Sequence, residues 1–111
     1  MGTFVISKRK NGEFQFNLKA KNGQIILSSE GYTTKAACQN GIESVVKNSK
    51  EDGRFDRLES KNGKVYFNLK SSNGQIVGSS QMYESKATME NGIESVKTNA
   101  ADATIKEELE S

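Results

Sequence analysis

Side chains able to do chemistry are few in this chain, and their types narrow its repertoire. There is no histidine among the 111 residues, so the side chain that most often moves protons near neutral pH is missing. The single cysteine, Cys38, precedes Ile42 and Val45 at helical spacing. A thiol on such an apolar stripe packs as a small hydrophobe, whereas a nucleophilic cysteine needs an electropositive, accessible setting. Glu43 and Glu94 repeat identically and would make a carboxylate pair only if a twofold axis joined them. Their offset from the stripe reads as a solvated helix position. One cysteine supports neither an internal disulfide nor a Cys-based zinc site, and the acidic residues are scattered except near the C-terminus. The repeated Asn-Gly pairs carry none of the glycine and lysine spacing of a phosphate loop. No catalytic, cofactor or metal site is expected, and a non-enzymatic chain is.

What remains is a polar set on strands. Glu13 to Ala20 alternates polar and apolar residues, with Phe14, Phe16, Leu18 and Ala20 on one side and Gln15, Asn17 and Lys19 on the other. That is a strand with one buried face. Lys64 to Ser71 repeats the pattern, with Tyr66, Asn68 and Lys70 on the polar side. Asn17, Lys19, Tyr66, Asn68 and Lys70 therefore form the candidate binding surface, on the sheet face that needs no helices. The aromatic strand superficially resembles an RNA-recognition motif, whose exposed rings stack on bases. Only Tyr66 turns its ring outward, and its counterpart is Gln15. Nucleic-acid binding is thus the lesser expectation, and a protein partner the greater.

These residues are positioned by a duplication. Asn11 to Asn48 reappears as Asn62 to Asn99, with Phe16-Asn17-Leu18-Lys19, Asn22-Gly23-Gln24-Ile25 and Asn40 to Val45 copied without change. Such a repeat makes two equivalent units. Each is too small to shelter its own apolar surface, so the two share one core. The expected organisation is a single domain, 1–111, of two repeats (about 3–53 and 54–106) and an acidic tail, 107–111, which reads as a solvated end.

Each unit reads as a three-stranded meander: Phe4–Lys8, Glu13–Ala20 and Gln24–Ser28, then Phe55–Glu59, Lys64–Ser71 and Gln75–Ser79. The Asn-Gly pairs are expected to form type I′ turns. A helix follows in each, with Thr34 and Ser85 as N-caps. Cys38, Ile42 and Val45, or Met89, Ile93 and Val96, form its apolar stripe. Gly41 and Gly92 interrupt the helices and imply close approach to the sheet or partner helix, or a break into two short helices. Tyr32 and Tyr83 are expected to staple helix entry to the sheet, and Ser28-Ser29 and Ser79-Ser80 to accept turn or cap bonds. Phe55–Leu58 serves as last strand of unit one and first of unit two. Thr104–Lys106 would close unit two.

Net charge is +2, too mild to imply a polyanion partner. Residues 1–101 hold 15 basic and 10 acidic side chains, and 102–111 one basic and four acidic. No apolar run is long enough for a signal peptide or a membrane span. A cytoplasmic monomer, acting as a fused pseudo-dimer, is expected.

The ordered, twice-repeated motifs (aromatic-x-Phe-Asn-Leu-Lys, Asn-Gly-Gln-Ile, Ser-Ser-x-x-Tyr, Asn-Gly-Ile-Glu-Ser-Val) closely resemble the bacterial YegP-like family, UPF0339, the domain of unknown function 1508. The resemblance spans about residues 3 to 106. It implies an α+β fold: tandem β(3)-α-β units in a single antiparallel sheet, two helices on one face, pseudo-twofold symmetry and swapped C-terminal strands. It implies no activity, cofactor or catalytic residue. The function stays open, a structural or protein-interaction module being expected first and weak binding of nucleic acid or an anionic ligand second.

Overall fold

The alternating segments become strands and the 3.6-period segments helices in the computed structural model, which describes residues 2–108. In chain order these are β1 (Thr3–Lys8), β2 (Phe14–Lys19), β3 (Ile25–Ser28), α1 (Lys35–Asn48), a short 3-10 turn (Asp52–Arg54), β4 (Phe55–Glu59), β5 (Val65–Lys70), β6 (Ile76–Ser79), α2 (Lys86–Ala101) and β7 (Thr104–Glu108). Both helices run unbroken through their glycines. Thr34 Oγ1 accepts from Ala37 N–H at 3.0 Å, and Ser85 Oγ from Thr88 N–H at 3.2 Å, so both expected caps are present.

The hairpin turns differ from the type I′ expectation. That turn needs positive φ at both central residues, and only the glycines have it, Gly12 at φ 89° for example. Gly12 N–H bonds to Arg9 C=O at 3.0 Å and Arg9 N–H to Glu13 C=O at 2.6 Å, a type I turn followed by a left-handed glycine bulge. Asn11 keeps ordinary backbone angles while its side chain braces the turn, Oδ1 accepting from Glu13 N–H at 3.0 Å. Asn22, Asn62 and Asn73 make the same bond.

The strands form one sheet in the order β4-β5-β6-β3-β2-β1-β7. The two meanders are joined through the single pair Ser28↔Ser79, at the pseudo-twofold axis. Every pairing is antiparallel except β1 with β7, which is parallel and places Phe4 beside Ile105. The sheet is therefore mostly, not wholly, antiparallel. The parallel pair also corrects the role expected of Thr104–Lys106: it follows the helix of unit two but closes unit one, a swapped strand. Helix α2 crosses the sheet over β5, β3 and β2 and sets the chain down at the β1 edge, where Thr104 N–H bonds to Gly2 C=O at 3.1 Å. Phe55–Glu59 pairs with β5 as the first strand of unit two. Glu107 and Glu108 of the expected solvated tail belong to β7, and Glu107 Oε1 meets Lys35 Nζ at 2.7 Å. Glu110 lies outside the described residues.

One hydrophobic cluster unites both units on one sheet face: Phe4, Ile6, Phe16 and Leu18 with Phe55, Val65, Phe67 and Leu69, under Cys38, Ile42, Val45, Met89, Ile93 and Val96. Each helix crosses strands of both units, α1 touching β2, β5 and β6, and α2 touching β2, β3 and β5. Core sharing thus follows from topology.

Candidate functional site: the open face of the sheet

Directly opposed residues in neighbouring strands share a face, so register identifies what the helix-free side displays. One row runs Lys106–Val5–Asn17–Ser28–Ser79–Asn68–Asp56 across all seven strands. Its four central members are hydroxyls and amides, symmetric about the Ser28–Ser79 junction. Gln15 and Ser7 flank the row on one side, and Tyr66 and Leu58 on the other. Lys19 stands opposite Thr3 and Ile25, and Lys70 opposite Ile76.

All five sequence-derived candidates lie on this face and are half-buried. They are spread rather than clustered. At about 4.8 Å per strand, Asn17 and Asn68 stand roughly 14 Å apart, with Ser28 and Ser79 between them. The two lysines are not equivalent. Lys70 Nζ pairs with Asp56 Oδ2 at 3.1 Å, while the residue in Asp56's place in unit one is Val5. Lys19, Lys70 and Lys106 face two carboxylates, Asp56 and Glu108, and Lys106 reaches Glu108 at 3.3 Å. Electrostatically the face is close to balanced.

Sequence reasoning missed its apolar patches. Ile25 and Ile76 are both 42% exposed. Each sits where the register shifts beside Lys19 or Lys70, a bulge that breaks the alternation with Leu27 or Gly78 and turns the isoleucine toward the open side. The signal was present as one apolar residue too many in Ile25-Ile26-Leu27. Val5 is 6% exposed although it faces away from the helices and stands outside the core cluster.

The reactive candidates are held apart from any such surface. Cys38 is fully buried, and burial pushes its thiol pKa up. Glu43 lines a groove with Phe4, Val46 and Ile105 at the β1–β7 edge. Glu94 pairs with Lys97 at 3.2 Å, in the group around Asp52 by β4, the opposite edge. No twofold carboxylate pair forms from them. Tyr32 stacks on Phe16 (6.2 Å, 15°) and Tyr83 on Phe67 (6.3 Å, 13°). Burial raises both phenol pKa values, helped at Tyr32 by the Cys38 and Glu30 charges and opposed at Tyr83 by a hydrogen bond with Gln81. The expected staple is present, tying each helix to the sheet under its glycine. Ser29 Oγ accepts from Phe16 N–H at 2.9 Å and donates to Glu30 C=O at 2.8 Å, with Ser80 matching it at Phe67. These two serines extend the strand ladder and are structural. Among the described residues no group of three or more Cys, Asp or Glu is placed to hold a metal ion. Among them, too, no helix is long and apolar enough to cross a membrane.

Comparison with known proteins agrees with this architecture. The sequence profile of the "Domain of unknown function (DUF1508)" matches residues 10–56 and again 60–107. A UPF0339 protein of Acinetobacter baylyi is 53% identical over 96% of both chains. One from the ptx operon 5′ region of Stutzerimonas stutzeri is 55% identical over the same shares. The solution NMR structure of YegP from Escherichia coli, a protein of unknown function, superposes with a TM-score of 0.94 at 47% identity, covering 99% of this chain and 95% of that one. The chain therefore belongs to the DUF1508 (UPF0339) family as a tandem-repeat member, a family with no assigned function.

Proposed function

We propose that this chain is a non-enzymatic interaction module of the cytoplasm, a fused pseudo-dimer that docks another protein on its open sheet face. The observation that carries the reading is the amide and hydroxyl row Asn17–Ser28–Ser79–Asn68, uncovered by either helix and bordered by half-exposed Ile25 and Ile76. Protein interfaces combine apolar contact with hydrogen bonding and near-neutral charge at their centre. Burial of the only thiol supports the non-enzymatic part. Binding of nucleic acid or another anionic ligand has less support, since a polyanion site gathers unpaired cations and Lys70 and Lys106 are both paired.

Substituting Ser28→Arg and Ser79→Arg together fills the middle of the face without touching the core. Proteins retained from host lysate by the wild type should be lost by a variant whose circular dichroism and melting are unchanged. Retention of the same proteins by both would overturn the reading. Amide shifts at Asn17, Lys19, Tyr66, Asn68 and Lys70 on adding single-stranded RNA, reversed by salt, would instead favour the polyanion alternative.

A further inference from the structure

The two edges of the sheet are closed differently. Strands β1 and β4 are equivalent in the duplication, as are Phe4 and Phe55, Ile6 and Arg57, and Lys35 and Lys86. Along β1 the outer edge carries β7, which sets Ile105 beside Phe4 and Glu107 beside Ile6, with Glu107 held by Lys35. Along β4 no strand lies among the described residues. Val65 and Phe67 bond toward Tyr83 and Ser80, so alternation turns the backbone groups of Phe55, Arg57 and Glu59 outward.

An ionic group covers that edge instead. Arg57 projects on the helix side of β4 and donates to both Glu90 oxygens, Nε to Oε2 at 2.5 Å and Nη2 to Oε1 at 3.0 Å. Its Nη2 also donates to Asp52 Oδ1 at 3.1 Å, which accepts from Lys97 Nζ at 2.8 Å. Two outward backbone groups are consumed: Phe55 N–H by Asp52 C=O, and Phe55 C=O by Arg57 Nη1 at 3.4 Å. In unit one the positions of Arg57, Glu90 and Lys97 are Ile6, Gln39 and Val46. Charges turned inward on an edge strand are a known barrier to strand addition.

We propose that the Arg57–Glu90–Asp52–Lys97 group is a lock on a second strand-acceptor edge, one that would otherwise take the β7 strand of another copy of this chain. The occupant is argued from the other edge, where this chain's own Thr104-Ile105-Lys106-Glu107-Glu108 fills the equivalent place. The features that receive it there recur here. Lys86 is exposed and lines a cavity of about 300 Å³ with Arg57, Glu59, Met89 and Glu90. This edge is separate from the open face, so the inference stands independently of the proposed function.

The test restores the unit-one residues by Arg57→Ile with Lys97→Val in the full chain. The probe is a synthetic peptide of residues 103–108, Ala-Thr-Ile-Lys-Glu-Glu. The variant should bind it at least tenfold more tightly than the wild type, with amide shifts at Phe55–Glu59 and Lys86, and should associate at high concentration where the wild type stays monomeric. Asp52→Asn with Glu90→Gln, which keeps side-chain size, must shift binding the same way. Equal affinity in wild type and both variants overturns the lock. Shifts confined to Thr3–Ser7 overturn the acceptor edge, because the peptide would then merely be replacing β7.

Discussion

At the scale of residues, the heaviest contributions come from positions that the duplication copied. Phe16 and Phe67 are fully buried and each touches an edge-on aromatic, Phe4 or Phe55, and a stacked tyrosine. Phe16→Ala or Phe67→Ala should each cost about 3–5 kcal/mol, measured by urea melts; a loss under about 1 kcal/mol would contradict their place in the core. Gly41 shows why helix propensity alone misleads. Alanine is about 1 kcal/mol better than glycine inside a helix, yet a Cβ at position 41 would lie 2.8 Å from Tyr32 Cζ and 3.0 Å from Phe16 Cε2. Gly41→Ala should therefore destabilise, by about 1–3 kcal/mol. In a double-mutant cycle, the cost of Gly41→Ala should shrink in a Tyr32→Ala background, since the ring it strikes is gone.

Elements are held together by a few specific devices, and the Arg57 group is one that responds to acid. Hydrogen bonds from Arg57 hold the Glu90 carboxyl below its usual range, and bonds from Lys97 and Arg57 do the same for Asp52. A depressed folded pKa means that the stabilisation is present above the unfolded value, near ~4, and lost as pH falls through the lower folded values. Thermal melts taken from neutral pH down into that window should fall for the wild type. They should fall less steeply for Asp52→Asn with Glu90→Gln, which has no such protons to take up. Parallel slopes would show that other carboxylates govern acid unfolding.

For the whole molecule, fusing two copies let the positions beside the axis diverge. Leu27 lies where unit two has Gly78, and a Cβ on Gly78 would come within 2.7 Å of the Leu27 side chain. Two leucines cannot both occupy that space. Gly78→Leu alone should cost about 1–3 kcal/mol by overpacking. The reciprocal exchange, Leu27→Gly with Gly78→Leu, should recover much of the stability lost by Leu27→Gly alone, because the same volume is refilled from the other strand. The shared cluster also predicts the behaviour of a half. Residues 1–53 by themselves would lose the contacts of α1 with β5 and β6 and of β1 with β7. They should be unfolded or associated, as judged by light scattering and circular dichroism; a compact, cooperatively melting monomer would disprove core sharing.

Local order was written in the chain itself. Alternation at Phe14–Ala20, the stripe Cys38–Ile42–Val45, the caps Thr34 and Ser85 and the facing of Asn17, Lys19, Tyr66, Asn68 and Lys70 follow from short-range periodicity and hydrogen-bonding chemistry, which need no distant partner. The duplication likewise announced paired units and a common core. Three-dimensional packing decided the rest. Which neighbour Thr104–Glu108 would choose, and in which direction, depends on where α2 sets down its end. The bulges that expose Ile25 and Ile76, the Asp56 that takes Lys70 but leaves Lys19, and the Arg57 group at the open edge join residues far apart in the chain. Such pairings are selected by the geometry of the assembled sheet, and no periodicity along the backbone records them.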